Sequence, residues 1–183
     1  WTNSLFENVA ADAMGIRSRW DQMGWQDRPL WCVGGDGAMF DIGFQSLSRM
    51  LASGMNIKVF VLDTQVYSNT GGQERRKEIA QIAMMHPRTY VAQTTCAHTN
   101  HFYKSVIGAL EFDGPAIINC YTTCQPEHGV ADNMATDQAR LAVDTRAFPL
   151  LIHDPTKGDT IKKRLSLQGN PSVKDDWWKN PKT

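Results

Sequence analysis

Hydrophobic positions along the chain alternate between helical spacing and short continuous runs. Close to the N-terminus, apolar residues recur every three or four positions, which predicts a helix opened by a Ser4-x-x-Glu7 capping box. The stripe consists of Leu5, Val9, Ala13, Ile16 and Trp20. The apolar run Pro29 to Val33 predicts a buried strand that ends in the turn Gly34-Gly35-Asp36-Gly37. Helical spacing then resumes and continues to Gly54.

The same order of strand, loop and helix repeats downstream. Further strands are predicted at Ile57–Leu62, Tyr90–Thr94, Pro115–Tyr121 and Leu150–His153. Helices are predicted at Arg75–Met85, over the segment from Phe102 to Leu110 and at Ala131–Arg146. Strands that alternate with helices form parallel βαβ units. We therefore predict an α/β fold over residues 1–154, a doubly wound and mostly parallel sheet with helices on both faces.

The periodic pattern is lost after residue 154. Residues 155–183 are predicted to form an irregular, extended C-terminal tail, which docks through its tryptophans or packs on a neighbouring molecule. Because the chain starts at Trp1, without a methionine and without an export signal, we expect a processed chain, an excised domain or a piece of a longer protein.

Composition narrows the choice of partner. The 183 residues are 42% hydrophobic and carry 19 basic and 19 acidic side chains, which excludes disorder. A net charge of zero argues against a broad surface for nucleic acid or anionic lipid, and no apolar run approaches the roughly 18 residues of a membrane helix. The four cysteines are too few for a disulfide scaffold and favour a reducing, cytoplasmic location.

Two polar loops follow predicted strands, at residues 34–37 and 63–73, and should meet at one edge of the sheet. Glycine N–H groups and a helix N-terminus would form a cradle for phosphate in the first loop. Asp36 would repel that phosphate unless a divalent cation lay between them. Magnesium suits this role, and the Thr64 oxygen and the Val66 carbonyl could complete its shell. The alternative is that Asp36 only caps a helix.

The order of these motifs resembles the thiamin diphosphate domain of pyruvate:ferredoxin (flavodoxin) oxidoreductase, within the 2-oxoacid:ferredoxin oxidoreductase family. Most of residues 1–154 take part in the resemblance. The strings that carry it are Asn3-Ser4-Leu5-Phe6-Glu7, Gly34-Gly35-Asp36-Gly37, Asp41-Ile42-Gly43-Phe44, Leu51-Ala52-Ser53-Gly54, Val59-Phe60-Val61-Leu62-Asp63-Thr64, Val66-Tyr67-Ser68-Asn69-Thr70-Gly71-Gly72-Gln73 and Tyr121-Thr122-Thr123-Cys124. The string that starts at Val66 looks more like the single-chain pyruvate enzymes than the multisubunit ones.

The resemblance implies a role for each matching residue. Asp36, Thr64 and the Val66 carbonyl would hold magnesium, and Asn69 would be the catalytic residue that faces thiazolium and substrate. The diphosphate would be lined by Gly35, Gly37 and Ser68. Cys124 would ligate a [4Fe-4S] cluster.

The family's reaction is the oxidative decarboxylation of a 2-oxoacid such as pyruvate, with coenzyme A as acyl acceptor and ferredoxin or flavodoxin as electron acceptor. A homo-oligomer is expected.

Two departures from the family accompany the match. The other cluster cysteines are absent and no C-x-x-C run exists, so the remaining ligands would lie outside this chain. The step from Gln73 to Glu74 is shorter than in the family, either by deletion or because residues are missing. The aminopyrimidine half of the cofactor would also need a separate domain, so the chain alone should be inactive.

Other interpretations fit the same residues. A non-oxidative thiamin diphosphate decarboxylase or synthase would need the same magnesium site but not Cys124, and a flavodoxin-like module would use Asp36 only as a cap. A zinc site could be assembled from cysteines and histidines, although Cys120 falls on a predicted buried strand. Its candidates are Cys96, His98, Cys120, Cys124 and His128. The histidines at 86, 101 and 153 are expected at the surface or in helix caps.

Overall fold

A computed structural model describes residues 2–66, 77–172 and 176–179. Its helices are α1 (Val9–Gln22), α2 (Phe44–Ala52), α3 (Ile79–Met84), α4 (Thr99–Glu111), α5 (Gln125–His128), α6 (Ala135–Asp144) and α7 (Ile161–Arg164). Its strands are β1 (Trp31–Gly35), β2 (Lys58–Asp63), β3 (Tyr90–Thr95), β4 (Ala116–Tyr121), β5 (Leu151–His153) and β6 (Leu165–Ser166). A π-helical turn at Ala38–Ile42 precedes α2. The first five strands thus lie within two residues of the runs that predict them.

The strands form one sheet in the order β1-β2-β4-β3-β5-β6. The pairs β1–β2, β2–β4 and β3–β4 are parallel, so the mostly parallel sheet predicted from sequence is confirmed. In the sheet, β3 lies two places from β2, and β4 lies between them. Because parallel crossovers are right-handed, the reversal of direction from β3 to β4 carries α4 to the opposite face from α2 and α3.

Both faces of the sheet carry a hydrophobic core. On one face, apolar residues of α1, α2 and α3 pack against Cys32, Val59 and Val61. On the other face, Ala109 of α4 packs with Phe60 and its neighbours. The residues of α2 that are buried, Leu47, Met50 and Leu51, follow helical spacing.

The first helix differs from the prediction. It begins at Val9, and the Ser4 hydroxyl donates to Asp12 instead of closing a capping box. The Glu7 carbonyl accepts a 2.7 Å hydrogen bond from the Ser46 hydroxyl, which ties this segment to α2 before the helix starts. The buried residues of α1 are Ala10, Ala13 and Arg17. Ala13 belongs to the predicted stripe, whereas Ala10 and Arg17 each lie one position after a predicted member. The stripe is displaced because the Arg17 guanidinium is buried.

The region after residue 148 also holds two differences. Strand β5 is antiparallel to β3, and β6, which lies in the segment expected to be an irregular tail, pairs antiparallel with β5. The sheet therefore extends beyond residue 154. Trp178 is exposed within the described part of that segment. None of the helices in the described ranges is long and apolar enough to cross a membrane.

Candidate cofactor and metal site

Three neighbouring strands end at the candidate site. Asp36 follows β1, Thr64 follows β2, and Cys124 and His128 follow β4. The register pairs Gly35 with Leu62 and Asp63 with Tyr121, so the carboxyl ends of these strands lie side by side. The prediction that the loops after the first two strands meet in space is confirmed by hydrogen bonds between Asp36 and Thr64.

Three oxygens cluster at this meeting point. Asp36 Oδ2 accepts hydrogen bonds of 2.9 Å from both the backbone N–H and the hydroxyl of Thr64. The same hydroxyl oxygen lies 3.0 Å from the Val66 carbonyl oxygen. Among the predicted magnesium ligands, Thr64 therefore contacts both Asp36 and Val66.

The donor set fits a magnesium ion on two grounds. Oxygens that neighbour each other in an octahedral shell, each about 2.1 Å from the ion, lie about 3.0 Å apart. The Thr64 hydroxyl also has two acceptors and a single proton, so it cannot serve Asp36 and Val66 at once. A cation among the three oxygens would satisfy both contacts.

The glycine turn leaves room for a ligand. A Cβ placed on Gly35 would meet no atom within 4 Å, so the backbone at the end of β1 is open to close approach. The N–H of Gly37 donates to Asp36 Oδ1 at 2.9 Å, which fixes the carboxylate so that Oδ2 faces Thr64. Asp36 thus shapes the turn as well as contacting the second loop.

A buried carboxylate that the sequence analysis did not single out supports the second loop. Asp63 is fully buried and accepts bonds of 2.8 Å from the Gln65 N–H and the Asn119 amide, and one of 3.0 Å from the Gln65 side chain. Gln65 has a φ of 71°, in the left-handed region that non-glycine residues rarely adopt. The network of Asp63 therefore holds the strained turn between Thr64 and Val66. In the sequence, only the position of Asp63 at the end of a hydrophobic run indicates this role.

The loop after β4 reaches the same site. The Cys124 N–H donates to His128 Nδ1 at 3.3 Å, and His128 Nε2 lies 3.0 Å from the Thr64 carbonyl oxygen. The imidazole stacks on the Tyr121 ring with 6.5 Å between centroids. Cys124 itself is partly exposed. From the sequence, His128 is a candidate only for zinc, and its contact with Thr64 is not predicted.

Zinc is contradicted by the positions of its candidate ligands. Within the described ranges, no three or more His, Cys, Asp or Glu side chains are grouped so as to hold a metal ion. Cys120 is buried, and burial raises the pKa of its thiol to about 12, which disfavours the thiolate that a metal requires. Cys96 lies beside that thiol but is exposed.

Two other predicted site residues, Ser68 and Asn69, lie outside the described residues, as does the short step after Gln73. Of the histidines expected at the surface or in caps, His86 contacts the Ala83 carbonyl near the end of α3 at 3.3 Å. His153 is buried in β5, so its expected position is wrong. Burial lowers the pKa of His101 to about 4 and lowers the pKa of His153 as well.

Comparison with known families agrees with this geometry. Residues 3–120 match the family described as thiamine pyrophosphate enzyme, C-terminal TPP binding domain. The chain belongs to this family of thiamine pyrophosphate (thiamin diphosphate) binding domains. The glycine turn, Asp36 and Thr64 all lie within the matched range.

Its curated relatives are pyruvate oxidoreductases. The chain is 34% identical to the probable pyruvate-flavodoxin oxidoreductase of Escherichia coli over 79% of its own length. It is 34% identical to the pyruvate:ferredoxin oxidoreductase of Moorella thermoacetica and 32% identical to the pyruvate synthase subunit PorB of Pyrococcus horikoshii, over 81% and 82% of the chain. The resemblance read from the sequence motifs is thereby confirmed. The chain spans only 14% of the first two relatives and 52% of PorB.

A solved structure shares the fold. It is a 2-oxoglutarate:ferredoxin oxidoreductase from Magnetococcus marinus, with a TM-score of 0.57 and 22% sequence identity. The match covers 73% of this chain and 50% of that one.

Proposed function

We propose that this chain forms the diphosphate- and magnesium-binding part of a thiamin diphosphate-dependent 2-oxoacid oxidoreductase, with pyruvate as the substrate. The observation that carries the proposal is the oxygen cluster of Asp36, Thr64 and Val66 at the carboxyl ends of two parallel strands. Curated relatives named as pyruvate oxidoreductases support the choice of substrate.

The residues of this chain would bind the anionic end of the cofactor. Asp36, Thr64 Oγ1 and the Val66 carbonyl would hold magnesium, whose two charges offset the repulsion between the Asp36 carboxylate and the diphosphate. The open backbone at Gly35, together with Gly37, would accept the diphosphate oxygens. On the resemblance alone, Ser68 would join them.

When bound, thiamin diphosphate would supply a carbon nucleophile for the 2-oxo group and an electron sink for decarboxylation. The chain's own part is to bind and orient it. Asp63 would keep Thr64 and Val66 in ligand geometry through the turn at Gln65. Asn69 is proposed as the catalytic residue facing thiazolium and substrate.

The loop after β4 suits an electron-transfer role. We propose that Cys124 ligates a [4Fe-4S] cluster together with cysteines outside this chain, because it is partly exposed and lies two hydrogen bonds from Thr64 through His128. Electrons would leave for ferredoxin or flavodoxin, and coenzyme A would accept the acyl group. The remaining domains or subunits of the enzyme, in a homo-oligomer, would complete the site. The four free thiols favour a cytoplasmic location.

The experiment uses the full-length protein that carries this chain. Pyruvate-dependent reduction of ferredoxin, with thiamin diphosphate, magnesium and coenzyme A each omitted in turn, tests the reaction. Loss of ferredoxin reduction on omission of each supports the oxidoreductase, whereas release of carbon dioxide without any reduction supports the non-oxidative alternative. Cys124→Ser should remove one cluster signal from the electron paramagnetic resonance (EPR) spectrum of the reduced enzyme. An unaltered spectrum would contradict the proposed ligand.

A further inference from the structure

His128 joins two loops that come from different strands. Its ring lies between the Cys124 loop, which follows β4, and the Thr64 loop, which follows β2. The ring also stacks on Tyr121 with an angle of 1° between the planes. Both ring nitrogens and one ring face are therefore engaged.

The partners of the two nitrogens define the tautomer. Nδ1 accepts the Cys124 backbone N–H at 3.3 Å, so Nδ1 carries no proton. Nε2 faces the Thr64 carbonyl oxygen at 3.0 Å, which can only accept, so Nε2 carries the proton. A neutral imidazole with the proton on Nε2 satisfies both contacts at once.

Thr64 is consequently held from two sides. Its N–H and hydroxyl bind Asp36 at 2.9 Å, while its carbonyl accepts from His128. A residue that hydrogen-bonds to a metal ligand affects metal affinity without contacting the metal. The loss of such a partner typically weakens metal binding by about 10- to 100-fold.

We propose that His128 is a positioning residue, which holds the metal-binding loop of Thr64 and the loop of Cys124 in one fixed arrangement. This inference rests on the proposed function, because Thr64 is taken as a magnesium ligand there. His128 acts through the Thr64 carbonyl and the Cys124 amide and does not itself contact the metal.

Three substitutions separate the hydrogen bonds from packing. His128→Phe keeps an aromatic ring that can stack on Tyr121 but loses both hydrogen bonds. His128→Gln places an N–H donor near the position of Nε2, and His128→Asn places an acceptor near the position of Nδ1. Only the Gln variant can preserve the bond to Thr64.

The measurement is Mn²⁺ binding, as a probe for magnesium, to the full-length protein with thiamin diphosphate present. Free Mn²⁺ is quantified by EPR at room temperature, and thermal unfolding confirms that each variant is folded. We expect His128→Phe to weaken Mn²⁺ binding about tenfold, His128→Gln to recover most of this loss, and His128→Asn to recover little.

Asp36→Asn, measured in the same titration, separates this inference from the proposed function. If Asp36→Asn loses Mn²⁺ binding while His128→Phe binds like the wild type, the role of His128 is wrong and the metal site stands. Equal losses in the Gln and Asn variants would reduce His128 to a packing residue and also overturn the inference. If Asp36→Asn binds Mn²⁺ normally, the metal site itself is wrong and the inference falls with it. If the Phe variant does not fold, the difference in Mn²⁺ affinity between the Gln and Asn variants tests the role of His128.

Discussion

Asp36 and Thr64 are joined by two hydrogen bonds of 2.9 Å, both to the same carboxylate oxygen, although 28 positions separate them in the chain. This pair ties the loop after β1 to the loop after β2. Because the two strands are parallel neighbours, their ends are adjacent without any distortion of the sheet. These hydrogen bonds bring the two polar loops together into one site that suits a divalent cation.

The Thr64 hydroxyl provides the first test of this relationship. In the full-length protein, Thr64→Val should weaken Mg²⁺ binding by at least about tenfold, because the variant keeps the side-chain shape but removes an oxygen ligand. Thr64→Ser retains that oxygen and serves as the control, with affinity close to the wild type. Calorimetric titration with Mg²⁺ in the presence of thiamin diphosphate measures both. Equal affinities for Val and Ser would show that the hydroxyl is not a ligand.

Gly35 should be required for the cofactor but not for folding. A Cβ on Gly35 meets no protein atom within 4 Å, so Gly35→Ala should change the free energy of unfolding by no more than about 1 kcal/mol. The methyl group would nevertheless occupy the space proposed for the diphosphate, and affinity for thiamin diphosphate should fall.

The matched control is Gly15→Ala, in the middle of α1 and also without a neighbour within 4 Å. It should stabilise the helix by up to about 1 kcal/mol and leave cofactor binding unchanged. Urea unfolding and cofactor titration of both variants check the pair. Normal cofactor affinity in Gly35→Ala would place the diphosphate elsewhere.

Arg17 is expected to be a structural residue of α1. Its guanidinium is buried and donates to the carbonyls of Arg28 and Trp25 at 2.8 and 2.6 Å. Arg17→Met should lower the free energy of unfolding by about 2–3 kcal/mol, because the two backbone carbonyls and the Asp21 carboxylate all lose their donor. The exposed Arg19 on the same helix is the control, and Arg19→Met should cost less than about 0.5 kcal/mol. Chemical denaturation measures both, and equal costs would contradict the role given to Arg17.

Lys58 predicts a pH dependence of stability. Burial lowers the pKa of Lys58 to about 8 from an ordinary value of 10.5, although Asp113 opposes the shift, and its Nζ donates to the carbonyls of Phe112 and Gly114. The unfolded chain holds the Lys58 proton more tightly than the folded protein does. The contribution of Lys58 to the free energy of unfolding should therefore rise as pH increases from about 8 to 10.5. Lys58→Met should remove that rise, visible as the difference between wild-type and variant urea unfolding curves. A difference that is independent of pH would contradict the shift.

Sequence patterns predicted the local elements well and the long-range contacts poorly. Continuous apolar runs located β1 to β4, because parallel strands buried on both faces are hydrophobic throughout. The stripe of α1 was displaced because Arg17 is buried through its hydrogen bonds, which no periodicity signals. The antiparallel pairing of the two-residue strand β6 was also missed, since so short a segment carries no pattern.

In the candidate site, too, local features could be predicted from sequence and long-range contacts could not. Asp36 and Thr64 could be paired from sequence because both follow predicted strands, and a cation between them was expected because a carboxylate repels a phosphate. Asp63 and His128 could not be assigned, because their roles depend on partners 56 and 64 positions away, Asn119 and Thr64 respectively. Such contacts follow from strand order, and the insertion of β4 between β2 and β3 was not predicted.

The most direct test of the central claim is the affinity of the full-length protein for thiamin diphosphate with and without Mg²⁺, compared between wild type and Asp36→Asn by calorimetry. If this chain holds the magnesium diphosphate, wild-type affinity depends on Mg²⁺, and Asp36→Asn weakens binding by at least about tenfold while thermal unfolding shows an intact fold. Unchanged affinity in a folded Asp36→Asn variant would mean that Asp36 serves only as a helix cap, and it would contradict the account.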